Sequence, residues 1–213
     1  MNAIKTFTLT TPQGHDIDVR VFETVDYSES YQAMSLFAQE REAGQNDQIW
    51  LLEHPPVYTQ GTACQLGAFM PSSIPTVKTD RGGQITYHGP GQIVMYPLLN
   101  LKQHGIGVKS LVSKLEQCII DVLAGLGISS ERREDAPGVY ADSAKIGALG
   151  LRIRKGTSYH GLSLNVDMDL LPFNNIDPCG YQGLQVTQVA DYVAEPVLEQ
   201  ISDKMMRLFV ASL

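Results

Sequence analysis

Cysteine is scarce in this chain: three residues, at positions 64, 118 and 179, with no C-x-x-C pair. That pattern excludes a disulfide framework and a structural zinc site, and it predicts reduced thiols in the cytoplasm. Basic charge is scarce too. The 16 Lys and Arg stand against 23 Asp and Glu, a net charge of −7, which excludes a nucleic-acid binder that relies on a broad basic surface. No apolar run approaches the length of a bilayer crossing, so no membrane span is expected. The first residues, MNAIKTFTLTTPQGHD, lack both the apolar centre of a signal peptide and the Arg-rich make-up of a transit peptide. Also missing are internal repeats, low-complexity segments and charged linkers. With 213 residues, 43% of them hydrophobic and 18% charged, the chain reads as one catalytic domain over 1–213. The G-x-x-x-x-G-K-[ST] and G-x-G-x-x-G phosphate loops are absent, as is H-E-x-x-H, so no cofactor and no metal are expected.

What is present is periodic. Phe7 and Leu9 alternate with threonines, Pro12-Gln13-Gly14 makes a turn, and Ile17, Val19 and Val21 alternate with Asp18 and Arg20. This is a hairpin with one buried face. Asp26 with Glu29 opens a helix in the manner of a capping box; Tyr31, Met34, Phe37 and Ala38 form its apolar face, and Gly44 is expected to end it. Strands are predicted at 49–52, 93–99, 139–140 and 145–153, and over the alternating Leu162, Leu164 and Val166. A helix is predicted over 109–126, with Cys118 on its apolar stripe as a structural residue, and another over 196–209 with Pro196 in its first turn. Strands and helices in this order predict an α/β (α+β) single domain with a mixed β-sheet flanked by helices.

Four segments depart from core patterning. Asp177-Pro178-Cys179-Gly180-Tyr181 holds a thiol in turn chemistry, where Pro and Gly can present it outward at a defined angle. A nucleophile needs that kind of support, together with a base and an acyl site. Arg81-Gly82-Gly83-Gln84-Ile85-Thr86-Tyr87-His88-Gly89-Pro90-Gly91-Gln92 is rich in glycine and short of apolar periodicity, and is expected to be a binding loop rather than core. Lys145 heads the apolar, glycine-bearing strand Ile146 to Leu151; it is either a solvated strand-edge lysine or a desolvated one that can exchange a proton with a nearby thiol. Tyr159-His160-Gly161-Leu162-Ser163 is a further polar segment containing glycine. His54, His88 and His160 lie in unrelated contexts and are expected to make hydrogen bonds rather than to ligate a metal. Arg152-Ile153-Arg154-Lys155, and secondarily Arg132-Arg133, are local basic patches that serve either an acidic partner or a solvated strand face.

Together LLEHPPVYTQG, RGGQITYHGPGQIVMYPLLNL, KIGALGLRIRKGTSYHGLSLNVDMDL and DPCGYQG resemble the lipoyl(octanoyl) transferase family, the lipoate biosynthesis protein B enzymes, over most of 51–183. The resemblance implies the fold of the biotin and lipoate protein ligase catalytic domain. It also implies transfer of an octanoyl group from octanoyl-acyl carrier protein to a lysine of lipoyl domains, those of 2-oxo acid dehydrogenases and the glycine cleavage H protein. By the same resemblance Cys179 is the acyl-thioester nucleophile and Lys145 its proton partner. Arg81 to His88, Ala148, Leu149 and Gly150, and Gly161, Leu162 and Ser163 then line the acyl pocket. The chain departs from the family at Thr157, commonly Cys, at Asp177, commonly Asn, and in the loop after Gly61. The rival readings are an ATP-dependent lipoate or biotin ligase, in which Cys179 is dispensable, and a non-catalytic carrier-protein binding module.

Overall fold

A computed structural model describes residues 1–64, 73–133, 136–176 and 184–213. Eleven strands are present among the described residues. They are β1 (Lys5–Thr10), β2 (Asp16–Thr24), β3 (Asp47–Glu53), β4 (Val57–Gln60), β5 (Thr76–Lys78), β6 (Ile85–His88), β7 (Gln92–Leu98), β8 (Glu131–Arg132), β9 (Val139–Ala141), β10 (Ala144–Arg154) and β11 (Thr157–Asn165). Three α-helices accompany them: α1 (Tyr27–Glu40), α2 (Val108–Ala124) and α3 (Leu198–Ser212). Eight strands form one sheet in the order β1-β2-β3-β7-β11-β10-β9-β8, and β5-β4-β6 form a second, smaller one. The large sheet is mixed, because β2 and β3 run parallel across the α1 crossover while its other pairs are antiparallel.

Both faces of the central strands are covered, which explains why β3 and β7 read as continuous apolar runs. Ile49 and Leu51 of β3 and Ile93 and Met95 of β7 face α2 and α3, packing with Leu115, Ile119, Met205 and Phe209. Their neighbours Trp50, Leu52, Val94 and Tyr96 face the other way, onto Met34 and Ala38 of α1. A third cluster joins Tyr58, Ile85 and Tyr87 of the small sheet to Phe173 and Ile176. No helix among the described residues is long and apolar enough to cross a membrane.

The helix ends show where local signals compete with tertiary ones. Asp26 caps α1 as expected, its carboxylate accepting from the backbone N–H groups of Ser28 and Glu29. The helix stops at Glu40, ahead of Gly44, because Arg41 leaves the helical path. Its guanidinium reaches the buried carboxylate of Asp47 at 2.5 Å. Pro196 likewise lies outside α3, which begins at Leu198 after Val197. Cys118 is core: it lies among the α2–α3 contacts, donates to the Met205 carbonyl at 3.0 Å, and burial pushes its thiol up to about 12.

Asp47 predicts a pH dependence. Burial opposes its ionised form, but hydrogen bonds from His104 and the Asn100 N–H and the charge of Arg41 outweigh this and hold its carboxyl below the usual value. A depressed folded-state value contributes stability that is complete above the unfolded carboxyl value and is lost as pH falls through the folded one. Asp47→Asn strips Arg41 of its buried counter-charge and is expected to cost about 1–3 kcal/mol at pH 7. Thermal melts should show that difference shrinking below about pH 4; a difference that stays constant from pH 7 to pH 3 contradicts the assignment.

Candidate active site

The long strand β10 builds one wall of a cavity of about 180 Å³. Its Ala148 and Gly150 pair with Ser163 and Gly161 of β11, so the strands present small groups there and leave a trough. The Gly-rich loop closes the trough from above: the Gly82 N–H donates to the Leu151 carbonyl at 2.9 Å. A Cβ at Gly150 would stand 2.9 Å from the Gly82 carbonyl oxygen and 3.1 Å from Arg81 Cδ, closer than side chains tolerate. Gly161 is more tightly constrained, because a Cβ would meet the Met95 carbonyl oxygen at 2.1 Å.

Lys145 lies at the start of β10, 6% exposed and lining the cavity. Its Nζ donates to the Pro137 carbonyl at 2.9 Å and sits 5.5 Å from the centre of the Tyr140 ring. The neighbouring Gly138 has φ +140°, and a Cβ there would be 2.4 Å from Lys145 Cε; only glycine leaves room for this lysine. The Lys145 backbone is tied to the stretch after residue 183: its N–H donates to the Gln185 carbonyl, and its carbonyl accepts from the Thr187 N–H. Phe173 on one side of 177–183 and Val186 on the other both line the cavity. Cys179 itself lies outside the described residues.

The structure brings together at this cavity Arg81, Gly83, Gln84, Ile85, Thr86, Ala148, Leu149, Gly150, Gly161, Leu162, Ser163 and Lys145. Gly82, Tyr87 and His88 do not line it. The Gly-rich segment is only partly loop. Its middle, Ile85–His88, is β6, paired with β4, and Ile85 and Tyr87 are core residues of the small sheet. His88 is buried and locked: Nδ1–H donates to Gln92 Oε1 at 2.7 Å, and Gln92 Nε2 in turn donates to Asn165 Oδ1 at 2.9 Å.

The three histidines of unrelated sequence context gather around Tyr27, each held in a hydrogen bond, and of them only His160 lines the cavity. His54 donates through Nδ1 to the Val25 carbonyl at 2.7 Å, which leaves Nε2 to accept from the Tyr96 hydroxyl at 2.7 Å; burial lowers its pKa to about 4. Burial also lowers His88 well below its ordinary value, with the charge field of neighbouring His54 adding to it. His160 is lowered by burial as well, against the pull of Asp80, so its 3.0 Å contact with that carboxylate is a hydrogen bond from a neutral imidazole rather than an ion pair. Asp80 is held low although burial opposes it, because His160 and Tyr159 both donate to it. The histidines are therefore neutral donors and acceptors at pH 7.

Sequence reasoning missed Tyr27 and Tyr96, which line the cavity with His160. Tyr27 stacks on His88 with ring centres 5.7 Å apart, and its hydroxyl lies 3.4 Å from His160 Nδ1. The signal available was a hydroxyl-bearing ring inside an otherwise aliphatic strand, Ile93-Val94-Met95-Tyr96. The two basic patches sit apart. Arg152 and Arg154 occupy the far end of β10, where Arg152 pairs with Asp80 at 3.9 Å. Arg133 stacks over Tyr140, 4.3 Å from the ring centre, at the Lys145 end.

The protein-family model described as the lipoyl protein ligase A/B catalytic domain matches residues 26–210. An octanoyltransferase of Stutzerimonas stutzeri is 50% identical over 192 residues, covering 90% of this chain and 88% of its own. An octanoyltransferase of Alkalilimnicola ehrlichii is 55% identical over 177 residues, covering 83% and 82%. Among solved structures, a lipoate-protein ligase A bound with ATP superposes with TM-score 0.74 at 15% identity over 90% of this chain and 83% of that one. A biotin protein ligase of Aquifex aeolicus superposes with TM-score 0.57 at 13% identity over 90% and 68%. The ligase similarities establish a common fold.

Proposed function

We infer the chemistry of the site from its family: the chain belongs to the lipoyl protein ligase A/B catalytic-domain family, and it is an octanoyltransferase acting in protein lipoylation, as its half-identical relatives are named. The observation that carries the reading is a narrow trough, floored by small residues, that runs from the buried Lys145 along β10. Such a trough suits a straight alkyl chain. We place the enzyme in the cytoplasm, where its thiols stay reduced.

Octanoyl-acyl carrier protein is the proposed donor, and lipoyl domains of 2-oxo acid dehydrogenases and the glycine cleavage H protein are the proposed acceptors. The thiolate of Cys179 attacks the donor thioester carbonyl; the carrier thiol leaves and an octanoyl-Cys179 thioester forms. The acceptor lysine amine then attacks that carbonyl, loses a proton, forms the amide and releases Cys179 as thiolate. A free thiol of pKa about 8.5 is only a few per cent ionised at neutral pH, so a proton acceptor close to the sulfur matters. Lys145 is assigned that role in preference to His88. Lys145 faces the cavity, while both ring nitrogens of His88 are directed at Gln92 and Thr59. In the sequence Cys179 lies between the cavity-lining Phe173 and Val186.

The rival is an ATP-dependent ligase on the same fold. The test is transfer from octanoyl-acyl carrier protein to a lipoyl domain with ATP omitted. Full turnover without ATP and no gain on adding it is the expected result; strict dependence on ATP and free octanoate favours the ligase.

A further inference from the structure

The cavity has two unlike ends. At the Lys145 end it is bounded by Pro137 and Val186. At the other end Tyr27, Arg81, Tyr96 and His160 close it. We propose that this second end is the acyl-length gauge of the enzyme: a wall of aromatic rings fixed from behind by buried hydrogen bonds, against which the terminal methyl of the octanoyl chain stops. The proposal rests on the octanoyl-transfer reading and assigns to Tyr27, Tyr96 and His160 a specificity role.

The dimensions fit. Lys145 and Gly150 are separated by about 16 Å along β10 at a rise of ~3.3 Å per residue. Arg81 packs directly on Gly150, and His160 is paired with the next residue, Leu151, so the wall stands at that end of the strand. An octanoyl chain from carbonyl carbon to methyl spans about 9 Å, since a zigzag of bonds near 1.5 Å advances ~1.25 Å per bond. The remainder is taken by the side chains at the two ends.

The wall resists lengthening for chemical as well as steric reasons. Every polar group in it is engaged. Tyr27 faces His160 Nδ1, and His160 Nε2–H donates to Asp80. The Tyr96 hydroxyl donates to His54, which is itself fixed on the Val25 carbonyl. Arg81, 7% exposed, donates to the Thr59 hydroxyl and carbonyl and to the Gly82 carbonyl. A methylene pushed past the rings must break one of these bonds and leave a buried donor or acceptor unpaired, which costs more than its own burial returns. His160 adds a backbone reason: it holds φ +56°, a conformation unusual outside glycine, so the wall is set in a strand that does not shift freely. Sharp rejection of longer chains follows, whereas shorter chains lose only contact area.

The test measures single-turnover acylation of the full-length enzyme by hexanoyl, octanoyl, decanoyl and dodecanoyl thioesters of pantetheine. For the wild type, octanoyl is expected to be the best donor and dodecanoyl to be worse by about tenfold or more. Tyr27→Ala should raise the decanoyl-to-octanoyl rate ratio by about tenfold and bring dodecanoyl into range. Tyr27→Leu keeps apolar bulk in the core and should shift the ratio in the same direction by less, so a poorly folded alanine variant leaves the question decidable. Filling the trough midway with Ala148→Leu should move the optimum to hexanoyl. A wild-type profile flat to dodecanoyl, or an optimum that stays at octanoyl in both Tyr27 variants while they still acylate, overturns the gauge and leaves octanoyl transfer standing. A wild type that accepts none of the four thioesters, or octanoyl-acyl carrier protein either, overturns the transfer reading and the gauge with it.

Discussion

Replacing Cys179 by alanine is expected to abolish octanoyl transfer, by about 10⁴-fold or more in kcat. The size follows from the chemistry. The two half-reactions share no path if the sulfur is missing: the carrier thioester and the acceptor amine must then react directly, without the covalent relay that splits one difficult step into two. Neither of the other cysteines is placed to substitute. Cys118 is buried between α2 and α3 with its thiol pushed up to about 12, and it lies in the hydrophobic core rather than on the cavity. Cys64 belongs to the small-sheet side and does not line the cavity either. The check is steady-state transfer to a lipoyl domain, with the melt recorded on the same samples. Turnover of Cys179→Ala within tenfold of the wild type would contradict the covalent route.

The second large effect is at Lys145. General acid–base assistance is worth about 10²- to 10⁴-fold, and Lys145→Ala should lose an amount in that range in both enzyme acylation and onward transfer. Lys145→Arg should not restore it, because a guanidinium stays charged and cannot take a proton from the thiol. The arginine also lacks room, since Lys145 Cε already fills the space where Gly138 would carry a Cβ. The diagnostic readout is the pH profile of single-turnover acylation. Loss of the wild-type ionisation in Lys145→Ala, with the profile retained in His88→Ala, supports the Cys/Lys assignment. The reverse pattern replaces it with a Cys/His pair.

How much of this was legible before folding depends on whether the signal was local. The β1–β2 hairpin, α1 and α2 announce themselves through alternation, a capping aspartate and a 3.6-residue stripe, and they fall within one or two residues of expectation at most ends. The exceptions have tertiary causes. Gly44 was a reasonable stop for α1, but the buried Asp47 draws Arg41 out of the helix four residues after Phe37. Similarly, β6 was hidden because Gly82 and Gly83 dominate the composition of its segment, while its pairing partner β4 lies 25 residues earlier in sequence. At the site, Lys145 stood out as a cation at the head of an apolar, glycine-bearing strand; that the small residues of β10 face those of β11 along a trough follows only from the strand pairing. The end wall could not be read in advance. Tyr27 lies in the first turn of α1 and Tyr96 on β7, and only the packing of α1 on the sheet brings both to His160.

The central claim is that the acyl group passes through a thioester on Cys179, and intact-mass measurement tests it most directly. The enzyme is mixed with octanoyl-acyl carrier protein in the absence of acceptor and ATP, quenched in acid, and weighed. One octanoyl adduct, removed by hydroxylamine, mapped by peptide analysis to the segment containing Cys179, and discharged on adding a lipoyl domain, is the predicted result. No adduct despite full turnover, or an adduct on Cys64 or Cys118, would contradict it.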